Sequence, residues 1–261
     1  MRFRFALALG TLVLSSHAVA GYSTPFASAE NPLDGGGDWV DGGAVGLDWN
    51  NPLSVPGRAC ASVLSGASGS RYDDSIAILN ATFQPFGADQ YAEATVYVAN
   101  GYSDVIHEVE LLLRFSIDAN DAHGYEVLWG LTGYLAVVRW NGPVGDYLPI
   151  YDPGIGSIPV PRDGDVLRAE MTGNIITVKL NGTDVASVDV STVADVWPTG
   201  QPGIGFWPID NAIPENYCWR TFAAGSQTSQ ADVPLPSWAL AVLGLSLFTI
   251  AMWKLDKGRY A

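Results

Sequence analysis

Gly164-Asp-Val-Leu-Arg-Ala-Glu-Met-Thr-Gly-Asn-Ile-Ile-Thr-Val-Lys-Leu-Asn-Gly-Thr183 reads as strand, turn and strand. The runs 165–171 and 174–181 are alternating or β-branched, and a further run, 184–190, follows Asn181-Gly182. An Asn-Gly pair between two such runs is a strong hairpin signal, because both residues tolerate the positive φ that a tight hairpin turn needs. The same texture extends in both directions. Runs at 58–65, 75–83, 90–99, 105–116, 123–131, 134–141, 146–151, 203–208 and 216–223 are separated by Gly, Pro, Asn and Asp. No window keeps a helical period. The expected fold class is all-β, a two-sheet antiparallel jelly-roll sandwich.

Together with Gly203-Ile-Gly-Phe-Trp207, the stretch from Gly164 resembles the concanavalin A-like, laminin-G-like jelly roll. Domains of that kind show a strand entered by Gly-Asp, a hairpin, an Asn-Gly turn and a closing Gly-Ile-Gly strand. Residues 164–208 carry the resemblance, which implies this fold for 21–224. It implies less about activity, since the superfamily includes lectin-like modules, glycoside hydrolases, polysaccharide lyases and adhesion domains.

Both ends of the chain read as addresses. Met1-Arg2-Phe3-Arg4, the apolar Phe5–Leu14 and Ala18-Val19-Ala20 have the pattern of a secretory signal peptide over 1–20. Residues 225–232 form a small, polar linker. Val233-Pro-Leu-Pro-Ser-Trp238 then opens an uncharged run to Trp253, followed by the basic Lys254, Lys257 and Arg259. With its flanks, a transmembrane helix of about 235–255 meets the roughly 17–25 residues that a span needs. Trp238 and Trp253 sit where interfacial aromatics belong, and the basic end would stay cytoplasmic. The tail 233–261 resembles a PEP-CTERM sorting signal in its Val-Pro-Leu-Pro variant, with Leu235 where the commonest form has Glu. That resemblance implies export and sorting machinery as partners. A plain anchor is the alternative. Either way the expected location is the cell surface or the periplasmic side, membrane-anchored by the C-terminus unless processed.

Charge agrees with export of the middle. Five of the 13 basic residues (Arg2, Arg4, Lys254, Lys257, Arg259) and one of the 27 acidic ones (Asp256) lie in the terminal segments, which leaves 26 acidic and 8 basic residues between 21 and 253, a balance of −18. Such a domain is a poor partner for nucleic acid. Cys60 and Cys218 are the 2 cysteines. In an oxidising compartment they are expected to form a disulfide. Closing so long a loop stabilises by on the order of 4–5 kcal/mol in the chain-entropy model, and it requires the first and last strands of the domain to be neighbours. Asn31–Gly57 is loop-rich, and its Trp39 and Trp49 are expected to pin an extended segment to the sandwich; a ligand-binding loop is the alternative.

Strand alternation nominates a polar sheet face. If 91–98, 107–116, 124–131 and 134–141 form a meander, then Glu93, Tyr97, Glu110, Arg114, Glu126 and Arg139 share one face, while Val109, Leu111, Leu113 and Phe115 point the other way. Such a face permits a saccharide groove: rings stack on sugar faces, and carboxylates and guanidinium groups bond hydroxyls. It also permits a solvated face with cross-strand pairs such as Glu126–Arg139 and Glu110–Arg114. Glu108 and Glu110, two apart on one strand, are the candidate catalytic pair for glycoside hydrolysis. The Glu-x-Asp-x-x-Glu pattern of familiar jelly-roll hydrolases is missing, however, as are the runs that mark alginate lyases. No Gly-x-Ser-x-Gly elbow, phosphate loop or His-Glu-x-x-His helix occurs. No organic cofactor is expected. A structural calcium is the one metal to raise, with Asp73, Asp74, Asp118 and Asp121 as candidate oxygen ligands. The expectation is an exported domain that binds a saccharide or extracellular matrix ligand without catalysis; a hydrolase or lyase on the polar face is the alternative, and a purely structural surface protein the third reading.

Overall fold

The computed structural model describes residues 21–43, 49–62, 74–102, 107–193, 195–208 and 213–227. The signal segment 1–20 and the tail 233–261 lie outside them, and among the described residues no helix is long and apolar enough to cross a membrane.

Every run expected to be a strand contains one: Arg58–Cys60 (β4), Ser75–Leu79 (β5), Gln90–Val98 (β6), His107–Asp118 (β7), Asp121–Gly130 (β8), Tyr134–Asn141 (β9), Tyr147–Tyr151 (β10), Val166–Thr172 (β11), Ile175–Leu180 (β12), Thr183–Asp189 (β13), Gln201–Pro208 (β14) and Tyr217–Ser226 (β15). The structure adds Gly21–Thr24 (β1), Trp39–Asp41 (β2) and Leu53–Val55 (β3). These are too short to show a period, and two of them lie in the glycine-rich segment. At the hairpin, Asn181 and Gly182 have φ of 50° and 79°, and Leu180 pairs with Thr183.

The strands form two antiparallel sheets. The first runs β13-β12-β11-β6-β15-β4-β3, with β1 also on β15; the second runs β10-β9-β8-β7-β14-β5-β2. From β4 to β7, and again from β13 to β15, consecutive strands alternate between the sheets, which is jelly-roll winding. Cys60 and Cys218 are joined, tying β4 to β15, the strand that also carries β1. The expected neighbour relation between the first and last strands therefore holds.

The main core lies between the sheets, where Val109, Leu111, Val127, Trp129, Ala169, Ile176, Phe206 and Trp219 are buried. Fully burying a side chain such as Phe206 contributes roughly 1.5–3 kcal/mol. A second cluster, including Trp49, Ile76, Leu112, Phe115, Val138 and Trp140, covers part of the outer face of the second sheet. That sheet is apolar on both faces: in β9, Leu135 and Val137 join the main core while Ala136 and Val138 join the outer cluster. Trp39 packs against Tyr22 and Phe222, with ring centroids 5.7 and 5.2 Å away. Trp49 packs 4.5 Å from Trp140. Both tryptophans pin their segment to the sandwich.

Candidate functional site

Trp49 covers one end of the second sheet's outer face. Beyond it lies a cavity of about 430 Å³ with Glu108, Glu110, Glu126 and Leu128 on its floor. Strand geometry puts the three glutamates there. Glu108 and Glu110 are two apart on β7 and so project on one side. Leu112 pairs with Glu126 and Glu110 pairs with Leu128, so Glu126 is the diagonal neighbour of Glu110. Diagonal Cα atoms on one face are roughly 7–8 Å apart, within reach of long side chains. Trp219 Nε1 donates to the Glu110 carbonyl from the core side at 3.1 Å.

Glycine makes room for the acids. Gly205 on β14 pairs with Glu110, and a Cβ at Gly205 would overlap a Glu110 carboxyl oxygen. An alanine there would displace the carboxyl. Tyr134, Trp140, Tyr147 and Trp207 contribute aromatic surface to the walls. Trp207 is two residues from Gly205 on the same strand and pairs with Glu108, so it belongs to the same face.

The carboxyls are out of water. Glu108, Glu110 and Glu126 are 4%, 2% and 5% exposed. Burial pushes the Glu108 carboxyl well above its ordinary range, and Glu126 and Asp74 add repulsion. Burial does the same at Glu110, with Glu126, Asp74 and Glu108 adding to it. Burial raises Glu126 to about 7, against the hydrogen bond that Trp140 Nε1 donates to it at 2.5 Å. With Glu126 raised to about 7, the floor takes up protons as pH falls through neutrality, and a protonated carboxyl can donate a hydrogen bond as well as accept one.

Of the residues expected on one polar face, the structure brings together Glu110 and Glu126, with Glu108 beside them, and disperses the rest. Glu93 and Tyr97 sit on β6, which belongs to the other sheet; the expected four-strand meander is β7-β8-β9 only. Arg168 Nη1 donates to Glu93 at 3.2 Å, and Tyr97 lies between the guanidinium groups of Arg58 and Arg220.

Arg114 leaves the face at a β-bulge. Leu113 pairs with Tyr125, but Ser116 pairs with His123, and Arg114 takes φ of 46°. The extra residue inverts the alternation, so Phe115 turns to the outer cluster, not to the core beside Leu113. Gly124 stands opposite, where a Cβ would come within 2.5 Å of the Phe115 ring. Arg114 donates instead to the carbonyls of Ala88, Gly173 and Trp197. Arg139 pairs with Tyr125 and not with Glu126, which places it on the inner side of β9. There it donates to the Asp195 carbonyl at 2.9 Å and lies over the Trp197 ring. Neither Glu126–Arg139 nor Glu110–Arg114 forms an ion pair. Both arginines fasten the 195–200 segment to the end of the sandwich.

Asp74 lines the cavity, Asp118 and Asp121 face each other across the β7–β8 turn, and Asp73 lies outside the described residues. Among the described residues no group of three or more His, Cys, Asp or Glu side chains is placed to hold a metal ion. The sequence reading missed Tyr134, Trp140, Tyr147 and Trp207 as cavity walls. Gly205 within a strand was the available signal, since an interior strand glycine marks a close approach.

No family model matches the chain, and no curated protein matches it. Several solved structures are similar in fold. A glycosidic hydrolase is 12% identical with a TM-score of 0.49, over 82% of this chain and 99% of that one. The catalytic domain of an endo-1,3-β-glucanase (laminarinase) from Thermotoga petrophila is 10% identical with a TM-score of 0.48, over 80% and 97%. A carbohydrate-binding module, CBM66, from Bacillus subtilis is 16% identical with a TM-score of 0.42, over 73% and 92%. Likenesses this distant carry no argument about function, which has to come from the cavity.

Proposed function

We propose that this is an exported surface protein whose sandwich domain binds a carbohydrate, without catalysis, in the cavity on the outer face of the second sheet. One observation carries the reading: a cavity of about 430 Å³ combines a floor of carboxyls with aromatic walls. Its size falls within the range of roughly 300–1,000 Å³ usual for small-molecule sites. Trp207 and the tyrosines offer faces for the apolar side of a sugar ring, and protonated carboxyls offer both donors and acceptors to hydroxyls. Export is supported by the signal-like residues 1–20, the tail 233–261 and the Cys60–Cys218 disulfide, a bond typical of oxidising compartments. The tail serves as a membrane anchor or a sorting signal; a mature mass ending near Val233–Pro236, against one that includes Ala261, separates these.

Hydrolysis is the second reading, favoured by the presence of Glu108 and Glu110 two apart in the same cavity. Retaining hydrolysis needs one carboxylate ionised as nucleophile beside a protonated acid, about 5–5.5 Å apart. Here burial raises all three glutamates, with repulsion adding to it at Glu108 and Glu110, and among the described residues no cation lines the cavity to hold one of them ionised. That supports binding over turnover. A glycan array probed with the purified protein, followed by assay of the bound glycans for new reducing ends, tests both readings. Binding without product is the expected result. Product release that Glu110→Gln abolishes would establish hydrolysis, and no binding to any glycan would sink both.

A further inference from the structure

The acidic residues lining the cavity come from several parts of the second sheet: Asp74 before β5, Glu108 and Glu110 on β7, Glu126 on β8 and Asp152 after β10. Among the described residues no Arg, Lys or His lines it. Acid alone would be ordinary in this domain. What sets the site apart is that the carboxyls of Glu108 and Glu110, 4% and 2% exposed, face the cavity and accept no hydrogen bond from any described residue. Arg114, equally buried, donates by contrast to three backbone carbonyls. Buried polar groups without protein partners take theirs from outside the chain, from water or from a ligand that displaces it.

We infer that the cavity takes an amino sugar, with its ammonium group seated among Glu108, Glu110 and Glu126 and its ring against the aromatic walls. This rests on the carbohydrate reading of the same cavity. An ammonium supplies three donors and a positive charge, which suits a set of crowded carboxyls. Trp140, Tyr134, Tyr147 and Trp207 suit it as well, since a cation is attracted to aromatic faces. A metal ion fits less well, because the described residues gather no metal-ligating group. The domain's acidic balance would also draw a polycationic glycan towards it. On entry, the ammonium stays protonated and the carboxyl it meets loses its proton to solvent, so binding releases protons.

The full chain is titrated calorimetrically with the tetramers of glucosamine, N-acetylglucosamine and glucose at about pH 6, well below the roughly 7.7–8.0 of a peptide α-amino group, so that the sugar amine carries its charge. Two buffers of different ionisation heat count the protons released. The glucosamine tetramer should bind at least about tenfold more tightly than either neutral tetramer, with proton release, and Glu110→Gln should erase the preference. Proton release by the unaltered protein decides the matter should that variant fail to fold. Equal binding of all three tetramers, or a glucosamine preference without proton release, would overturn the amino-sugar inference and leave the carbohydrate reading standing. Binding of none would overturn both.

Discussion

On the outer face of the first sheet, Arg168 lies 3.7 Å above the Tyr91 ring and bonds both Glu93 and Glu170, while Lys179 reaches Asp184 at 2.8 Å. On the outer face of the second sheet, Glu108, Glu110 and Glu126 crowd together among Trp140, Leu128 and Trp207, and no cation of the described residues lines their cavity. One face alternates sign and stays partly wet. The other is single-signed and dry. The difference teaches where charge is structural and where it is chemical. Opposite charges in water cost little to keep and contribute little. Carboxyls crowded out of water cost a great deal to ionise, and they persist only where the surrounding packing holds them.

The largest effect that separates the faces is expected from Trp140→Ala. Trp140 is 4% exposed, stacks near Trp49 and Tyr147 and donates to Glu126. Its loss should cost about 3–5 kcal/mol in urea unfolding. A loss below about 1 kcal/mol would mean that the dry face is not part of the core.

Next comes pH. Glu126 is raised from 4.5 to about 7 in the folded protein. Its folded pKa lies above the unfolded one, so its contribution is fully present below about pH 4.5 and is lost as pH rises through 7. Stability should therefore fall by roughly 3 kcal/mol across that window, and Glu108 and Glu110, raised in the same direction, add to the fall. Glu126→Gln should flatten the fall in a series of urea midpoints against pH; an unchanged slope would remove Glu126 as its source.

On the wet face, Arg168→Ala should cost only about 1 kcal/mol. Smallest of all, the Glu93–Arg168 coupling from a double-mutant cycle should be about 0.2–1 kcal/mol and should shrink in high salt. A coupling above about 2 kcal/mol would erase the contrast between the faces.

The strands were legible because most carry both β-branched residues and turn chemistry at their ends. Asn181-Gly182 gives its hairpin through two positive φ angles, which depend only on local sterics. The disulfide was legible because only Cys60 and Cys218 exist to form it. The short β1, β2 and β3 were not, since three or four residues cannot display a period. The site was legible in part. Glu108 and Glu110 share a side by the rule of two that governs any strand. Glu93 and Tyr97 were assigned to the same face only because nothing local says which sheet a strand joins. Arg114 was misplaced because one inserted residue at the bulge reverses every side chain after it. Arg139 was misplaced because β9 is apolar on both sides, so its alternation does not reveal which side faces the core.

By itself, then, the sequence determined the β class, the hairpin and the cystine, all of which depend on local conformation, composition or elimination. Only the tertiary structure decided which carboxyls meet. That depends on register, on a bulge and on the division of strands between sheets, and each of these is settled by contacts between residues far apart in the chain.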